Sequence, residues 1–211
     1  MKKGMMVLAL FLTAALPVLA KTTVKTETKS FEASGLKSVS LDVPVGALKV
    51  VARKGSMVEI KLEVKCGAGE DCRDAASGIH LVSETKDGAL NLQVKGWPKW
   101  GSHGMQVEMT ILMPASLSVD AHLGVGQLSM DGLEQHARLE VGVGDATVHA
   151  SAKDIKGVSM EVGVGDVSLQ TPEGKPQAHG FIGKALDWQG GKGEASLHVE
   201  VGVGSAKVFL E

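Results

Sequence analysis

The chain has 211 residues; 44% are hydrophobic, 3% are aromatic, none is tyrosine, and 27 are glycine. A core built almost wholly from Val, Leu, Ile, Met and Ala suits thin, regular layers. The formal net charge of −2, with no basic cluster, speaks against a nucleic-acid binder.

Residues 1–20 read as a secretory leader rather than part of the fold. Lys2 and Lys3 open it, Met5 to Leu16 is an uncharged apolar run, and Pro17-Val-Leu-Ala20 supplies a helix break and small residues at a cleavage site. The run ends too soon to span a membrane, and no later segment approaches about twenty apolar residues. The expected mature chain therefore begins near Lys21, lies in the periplasm or at the cell surface, and does not cross a membrane. Loss of Lys2 and Lys3 with the leader leaves it acidic. Strand periodicity then runs on without a break, so residues 21–211 are expected to form a single domain.

The first repeating unit lies at Val39, Leu41, Val43 and Val45 before Gly46, with Leu48 and Val50 after it. Alternation with period two marks a strand with one buried face. Val58 to Val64 alternates in the same way, as do Ala89 to Val94 and Met105 to Met113, and Gly88-Ala-Leu-Asn-Leu looks like part of a further unit. Two loops interrupt the series. Residues 66–78 carry the only cysteines, Cys66 and Cys72, whose default pairing outside the cytoplasm is a local disulfide. Closing so short a loop stabilises by roughly 2 kcal/mol on the chain-entropy model. The spacing is not Cys-x-x-Cys and no second ligand pair accompanies it, so zinc or redox chemistry is the weaker reading. Residues 96–104 carry Trp97-Pro-Lys-Trp100, which offers two readings: a stiff apolar tip that stacks on a carbohydrate or protein partner, or a cap over one end of the domain.

From residue 119 onward one motif recurs: Leu123-Gly-Val-Gly126, Val141-Gly-Val-Gly144, Val162-Gly-Val-Gly165 and Val201-Gly-Val-Gly204, with a weaker Phe181-Ile-Gly183 filling the gap. The last glycines fall at 126, 144, 165, 183 and 204, spaced by 18, 21, 18 and 21 residues. A period near twenty built from strand patterns implies an all-β stack of 18–21-residue glycine-marked coils, β-solenoid or β-helix in kind, each too small to bury a core alone. Apolar residues stand at −7, −5, −3 and −1 from the glycine and at +2 and +4 after it. On this pattern the −1 valines face inward and the parity slips at the glycine, which permits the corner. Gln127, Asp145, Asp166, Lys184 and Ser205 follow the marker glycines and are expected to cap corners by bonding backbone N–H groups.

These segments resemble a known family. Phe31 to Leu36 followed by Val39 to Val50 looks like the opening strands of the exported bacterial β-strand-repeat proteins named as adhesins. Val107-Glu-Met-Thr-Ile-Leu-Met-Pro114 through Val119 looks like that family's strand ending in proline before its glycine-marked repeats. The resemblance implies a solenoid-like fold outside the cytoplasm and brings no catalytic residues with it. Gly-Val-Gly departs from the family, which more usually has a polar residue before the marker glycine.

One polar column stands out four residues before the marker glycine: Asp42, His122, Glu140, Glu161, His179 and Glu200. Stacked carboxylates repel unless protons, cations or histidines relieve them, and these are also metal-ligand types. A weak divalent-cation site between coils is one reading, and a solvated polar face that keeps the sheet soluble is the other. Otherwise no cofactor is expected. Gly-x-Ser-x-Gly, His-Glu-x-x-His and phosphate-loop motifs are missing from the sequence, so no enzyme is expected. The last repeat ends at Phe209-Leu-Glu211 and is expected to leave an uncovered coil for a second copy, giving a homodimer. The functional expectation is an exported, non-catalytic, adhesin-like scaffold that binds an envelope, carbohydrate or protein partner. The alternative is a soluble periplasmic structural or stress-linked protein that binds a cation or an envelope component.

Overall fold

A computed structural model describes residues 21–67, 72–98 and 104–211. The fold is all-β apart from one short helix. In chain order come β1 (Thr22–Glu32), β2 (Ser38–Arg53), β3 (Met57–Cys66), α1 (Arg73–Gly78), β4 (His80–Lys86), β5 (Ala89–Lys95) and β6 (Met105–Pro114). They are followed by β7 (Ser118–Leu133), β8 (Ala137–Ala150), β9 (Ile155–Gln170), β10 (Lys184–Gln189) and β11 (Ala195–Leu210).

Five long strands form the centre, side by side and parallel, in the order β2-β7-β8-β11-β9. Their glycine markers share one row: Gly46 pairs with Gly126, Gly126 with Gly144, Gly144 with Gly204 and Gly204 with Gly165. The register follows from the side chains, because a slip of one residue would turn every inward apolar group to solvent. Buried rows cross the strands, such as Leu41–Ala121–Leu139–Val199–Met160 before the glycine and Val50–Met130–Val148–Val208–Leu169 after it. Burying each such Val or Leu contributes about 1.5–3 kcal/mol, and these rows form one continuous core.

The pattern departs from the sequence expectation at the corner. Leu123 and Leu128 are buried, but Val125 between them is exposed. The −1 valines therefore face outward, and the change of parity is spread over the five-residue step from −3 to +2. Backbone crowding is the reason. The marker glycines have φ near +140°, at Gly144 +138°, and that turn swings the preceding side chain off the inner face.

Beyond β2 the two halves of the strand part company. Its first half pairs with β5, itself paired to β4, and its second half pairs with β6, which leads to β3 and β1. The partial unit expected at Gly88 is thus β5, half a rung. β1 and β4 are bridged by side chains: Lys29 Nζ donates to the Leu81 carbonyl at 2.7 Å, and the Leu81 N–H donates to the Glu27 carboxylate at 3.1 Å. Cys66 and Cys72 are disulfide-bonded with Cα atoms 5.8 Å apart, tying the end of β3 to the start of α1. The whole sheet is mixed, parallel at its centre and antiparallel at its margins, and it does not close on itself.

Two expectations about the C-terminal repeats need correction. The copy at Gly183 is not a rung: β10 runs antiparallel to β9, with Lys184 opposite Val162. Pro172 and Pro176 stand where that copy would need its first strand, and proline cannot donate to a ladder. Nor is the last repeat an uncovered end. β11 lies between β8 and β9 and pairs with both. Phe209 stacks on His149 with ring centroids 4.7 Å apart, and Leu210 is buried, so this strand offers no free edge for a homodimer. Gly190-Gly-Lys-Gly193 threads it into the slot: a Cβ at Gly191 would stand 1.6 Å from the Ile155 carbonyl oxygen.

Candidate functional site

The in-register stack turns each outward sequence position into a row across the surface, with about 4.8 Å between neighbours. The polar column is such a row. Asp42 lies beside His122, His122 beside Glu140, Glu140 beside Glu200, and Glu200 beside Glu161. The order differs from the chain order because β11 sits inside β9. His179 belongs to the same line two positions further, since Glu161 pairs with Ala185 and Ala185 bridges to His179.

Three of its carboxylates have a basic side chain nearby. His122 Nδ1 lies 3.4 Å from Asp42, and His198 Nε2 lies 3.9 Å from Glu200. Arg138 Nε donates to Glu140 at 2.6 Å. That bond and the Glu140 charge hold the guanidinium's proton more tightly than usual, with smaller help from Asp120 and Glu200. Glu161, His179 and Glu200 line one shallow cleft of about 510 Å³. Among the described residues no group of three or more His, Cys, Asp or Glu side chains converges as ligands for a metal ion.

A second row was missed by sequence reasoning, which turned it inward. Val45, Val125, Val143, Val203 and Val164 stack in that order along the corner. Each is 41–53% exposed. Four rung spacings make a ridge about 19 Å long. A row of nearly bare backbone lies on each side, all glycine except for Pro44 on β2, and a Cβ at Gly142 would come 2.5 Å from the Gly124 carbonyl oxygen. Between the glycine rungs the neighbouring backbones approach too closely for a side chain. The signal was present in the sequence: all five rungs carry the same valine, whereas the buried row Leu41–Ala121–Leu139–Val199–Met160 varies freely in size.

At its β9 end the ridge meets the turn between His179 and Ala185, whose backbones exchange hydrogen bonds of 2.8 Å. Phe181 and Ile182 project from its tip, 97% and 68% exposed. Gly183 lies against the backbone of Gly163, next to Val164 in the chain, so the turn stands beside the β9 end of the valine line. Lys184 pairs with Asp166, which holds that carboxyl below its usual range.

The residues after the marker glycines do not cap backbone N–H groups as expected. Ser205 Oγ donates to Asp145 at 2.5 Å, and Lys184 serves Asp166. Trp97 is half-buried against the core, with its Nε1–H buried and without an acceptor among the described residues. Trp100 lies outside the described residues.

With this geometry in hand, solved structures give a match. The fold is similar to that of a candidate cell adhesion protein from Clostridium sporogenes. That similarity has a TM-score of 0.57 at 20% identity and covers 90% of this chain and 100% of the other. Two candidate adhesins, from Parabacteroides distasonis and Parabacteroides merdae, are more distantly similar. The first has a TM-score of 0.29 at 11% identity, covering 88% of this chain and 69% of its own. The second has 0.30 at 12%, covering 87% and 81%. The adhesin-like resemblance read from the strand repeats thus recurs in what the fold resembles. No protein-family model matches the sequence, and no curated protein matches it. No helix among the described residues is long and apolar enough to cross a membrane.

Proposed function

We propose that this chain is an exported, non-catalytic, adhesin-like interaction scaffold of the cell envelope, built as a β-solenoid-like stack. The coil geometry is supported by the connections. Leu133 ends β7 and Ala137 begins the parallel β8, only residues 134–136 intervening. Parallel strands otherwise need a crossover of a dozen or more residues. So short a link requires each bent strand to double back, bringing its end near its start.

The observation that carries the functional reading is the exposed valine ridge. A folded domain gains little from five half-exposed valines in one line, and contiguous exposed apolar surface marks interaction sites. The repeated surface suits adhesion because contacts of similar kind add along the stack. The same repetition favours binding over catalysis: each rung offers similar groups, so none supplies a unique nucleophile and base. The cell adhesion description of the Clostridium sporogenes protein supports the same role.

Proteinase added to intact producing cells tests it. Digestion of the chain from outside is the result expected of a surface adhesin. Protection until the outer membrane is opened retires the surface role.

A further inference from the structure

The ridge has one acidic margin and one of mixed charge. On one side stand Asp42, His122, Glu140, Glu200 and Glu161, three residues before the valines of their own rungs, and on the other Asp145 and Asp166, two residues after. These carboxylates lie about 7–10 Å along the strand from the ridge. Basic groups offset part of this charge: Arg138 pairs with Glu140 and His198 lies 3.9 Å from Glu200 on the first side, while Lys184 pairs with Asp166 and Lys207 stands near it on the second, so the net negative charge lies on the first side. The surface is therefore an apolar line about 19 Å long, flanked by glycine troughs, one of them ending at Pro44, and along one side by net negative charge.

Each part of that arrangement restricts the partner. The apolar line demands an apolar edge of similar length. Beyond Pro44 the troughs lack side chains, so backbone or short side chains can settle against them. The acidic margin favours lysine or arginine, whose stems lie along apolar surface while the charged heads reach outward. Two copies set ridge to ridge with like margins facing would oppose acidic margin to acidic margin, which is unfavourable. An anionic lipid surface would be repelled in the same way.

Building on the scaffold role above, we propose that the ridge from Val45 to Val164, with Phe181 and Ile182 beside its β9 end, docks a cationic polypeptide segment with an apolar edge. The apolar row supplies the area, and the acidic margin selects the charge and speeds the encounter.

The test uses protein purified from the envelope of producing cells and two labelled ten-residue peptides, one alternating valine with lysine and one valine with glutamate. Fluorescence anisotropy should show saturable binding of the lysine peptide only, weakening as salt is raised. Val143→Ser with Val203→Ser should reduce its affinity at least tenfold, and so should Phe181→Ser with Ile182→Ser in the turn. The melting temperature of each variant checks that it is folded. Equal binding of both peptides, or binding untouched by either pair of substitutions, overturns the proposal. So does self-association, or capture by vesicles containing phosphatidylglycerol, that the same substitutions abolish. If the lysine peptide fails while intact cells are digested from outside, the docking proposal falls and the adhesin reading stands. If the chain is also protected inside the cell, both fall.

Discussion

An alanine Cβ at Gly144 would sit 1.8 Å from the carbonyl oxygen of Gly126 on the neighbouring strand. Gly174 has nearly the same φ, +140° against +138°, but open space around it. The two sites therefore separate backbone strain from collision. Gly174→Ala should cost about 1–3 kcal/mol from backbone strain alone. Gly144→Ala adds displacement of a whole rung and should exceed about 4 kcal/mol or prevent folding. Urea denaturation of the two variants checks the difference, and equal costs would show that the rungs can part without penalty.

The exposed valines should contribute little to stability. Val143 is half exposed, while Val141, two residues away, is buried. Val143→Ser is expected to shift stability by less than about 1 kcal/mol, and Val141→Ala to cost roughly 2 kcal/mol through lost burial and the cavity left behind. Thermal melts of the two variants decide it. A large loss at Val143 would mean that the ridge is part of the core.

The Lys184–Asp166 pair links the turn to β9. Its proximity lowers the Asp166 carboxyl below the usual carboxylate range. A lowered folded-state value means that the pair contributes above the ordinary carboxylate range and fades as pH falls through the folded value. The pair is exposed, so the effect on stability is small, and the useful reading is the titration itself. Lys184→Ala should return the Asp166 carboxyl upward toward its ordinary range, seen by carboxyl-detected NMR. An unchanged titration would show that the turn does not stay docked on β9.

Trp97 should matter to the fold. The ring is half-buried on the core and its N–H finds no acceptor among the described residues, and an unmade bond of this kind costs about 1–3 kcal/mol. Trp97→Ala is expected to lower stability by about 3 kcal/mol. Trp97→Phe keeps most of the apolar contact and removes that donor, so it should lie within about 1 kcal/mol of the parent. Equal, large losses for both would require a polar role for the indole.

Reduction of the disulfide should cost about 2 kcal/mol by the chain-entropy model. Cys66 and Cys72 are both buried, so the double Ser variant should lose more than simple reduction. Denaturation with and without reductant compares them.

Much of this fold was legible in the residues. Period-two alternation located most of the long strands, and Val39 to Val50 was placed as a rung some seventy residues before the obvious repeats. The half-rung at β5 was visible from Ala89-Leu-Asn-Leu92. The flanking strand β1 and the helix α1 were not, because neither has a strong one-sided apolar pattern. The direction of the −1 valines was misread for a physical reason: at a corner, side-chain direction follows backbone torsion, and alternation can no longer be counted through it.

By itself the sequence determined that the chain is built from glycine-marked β units with an inner apolar face, because side-chain period and backbone crowding are local properties. It also determined which outward residues share a row, since position within the unit sets the row. Only the tertiary structure decided the order of those units, with β11 set between β8 and β9, and hence that Glu200 lies beside both Glu140 and Glu161. Parallel rungs of nearly equal inner pattern fit one another in any order, so their arrangement is fixed by the connections: Pro172 and Pro176 deny the intervening segment a rung, and the glycines at 190–193 let the last strand cross back over β9.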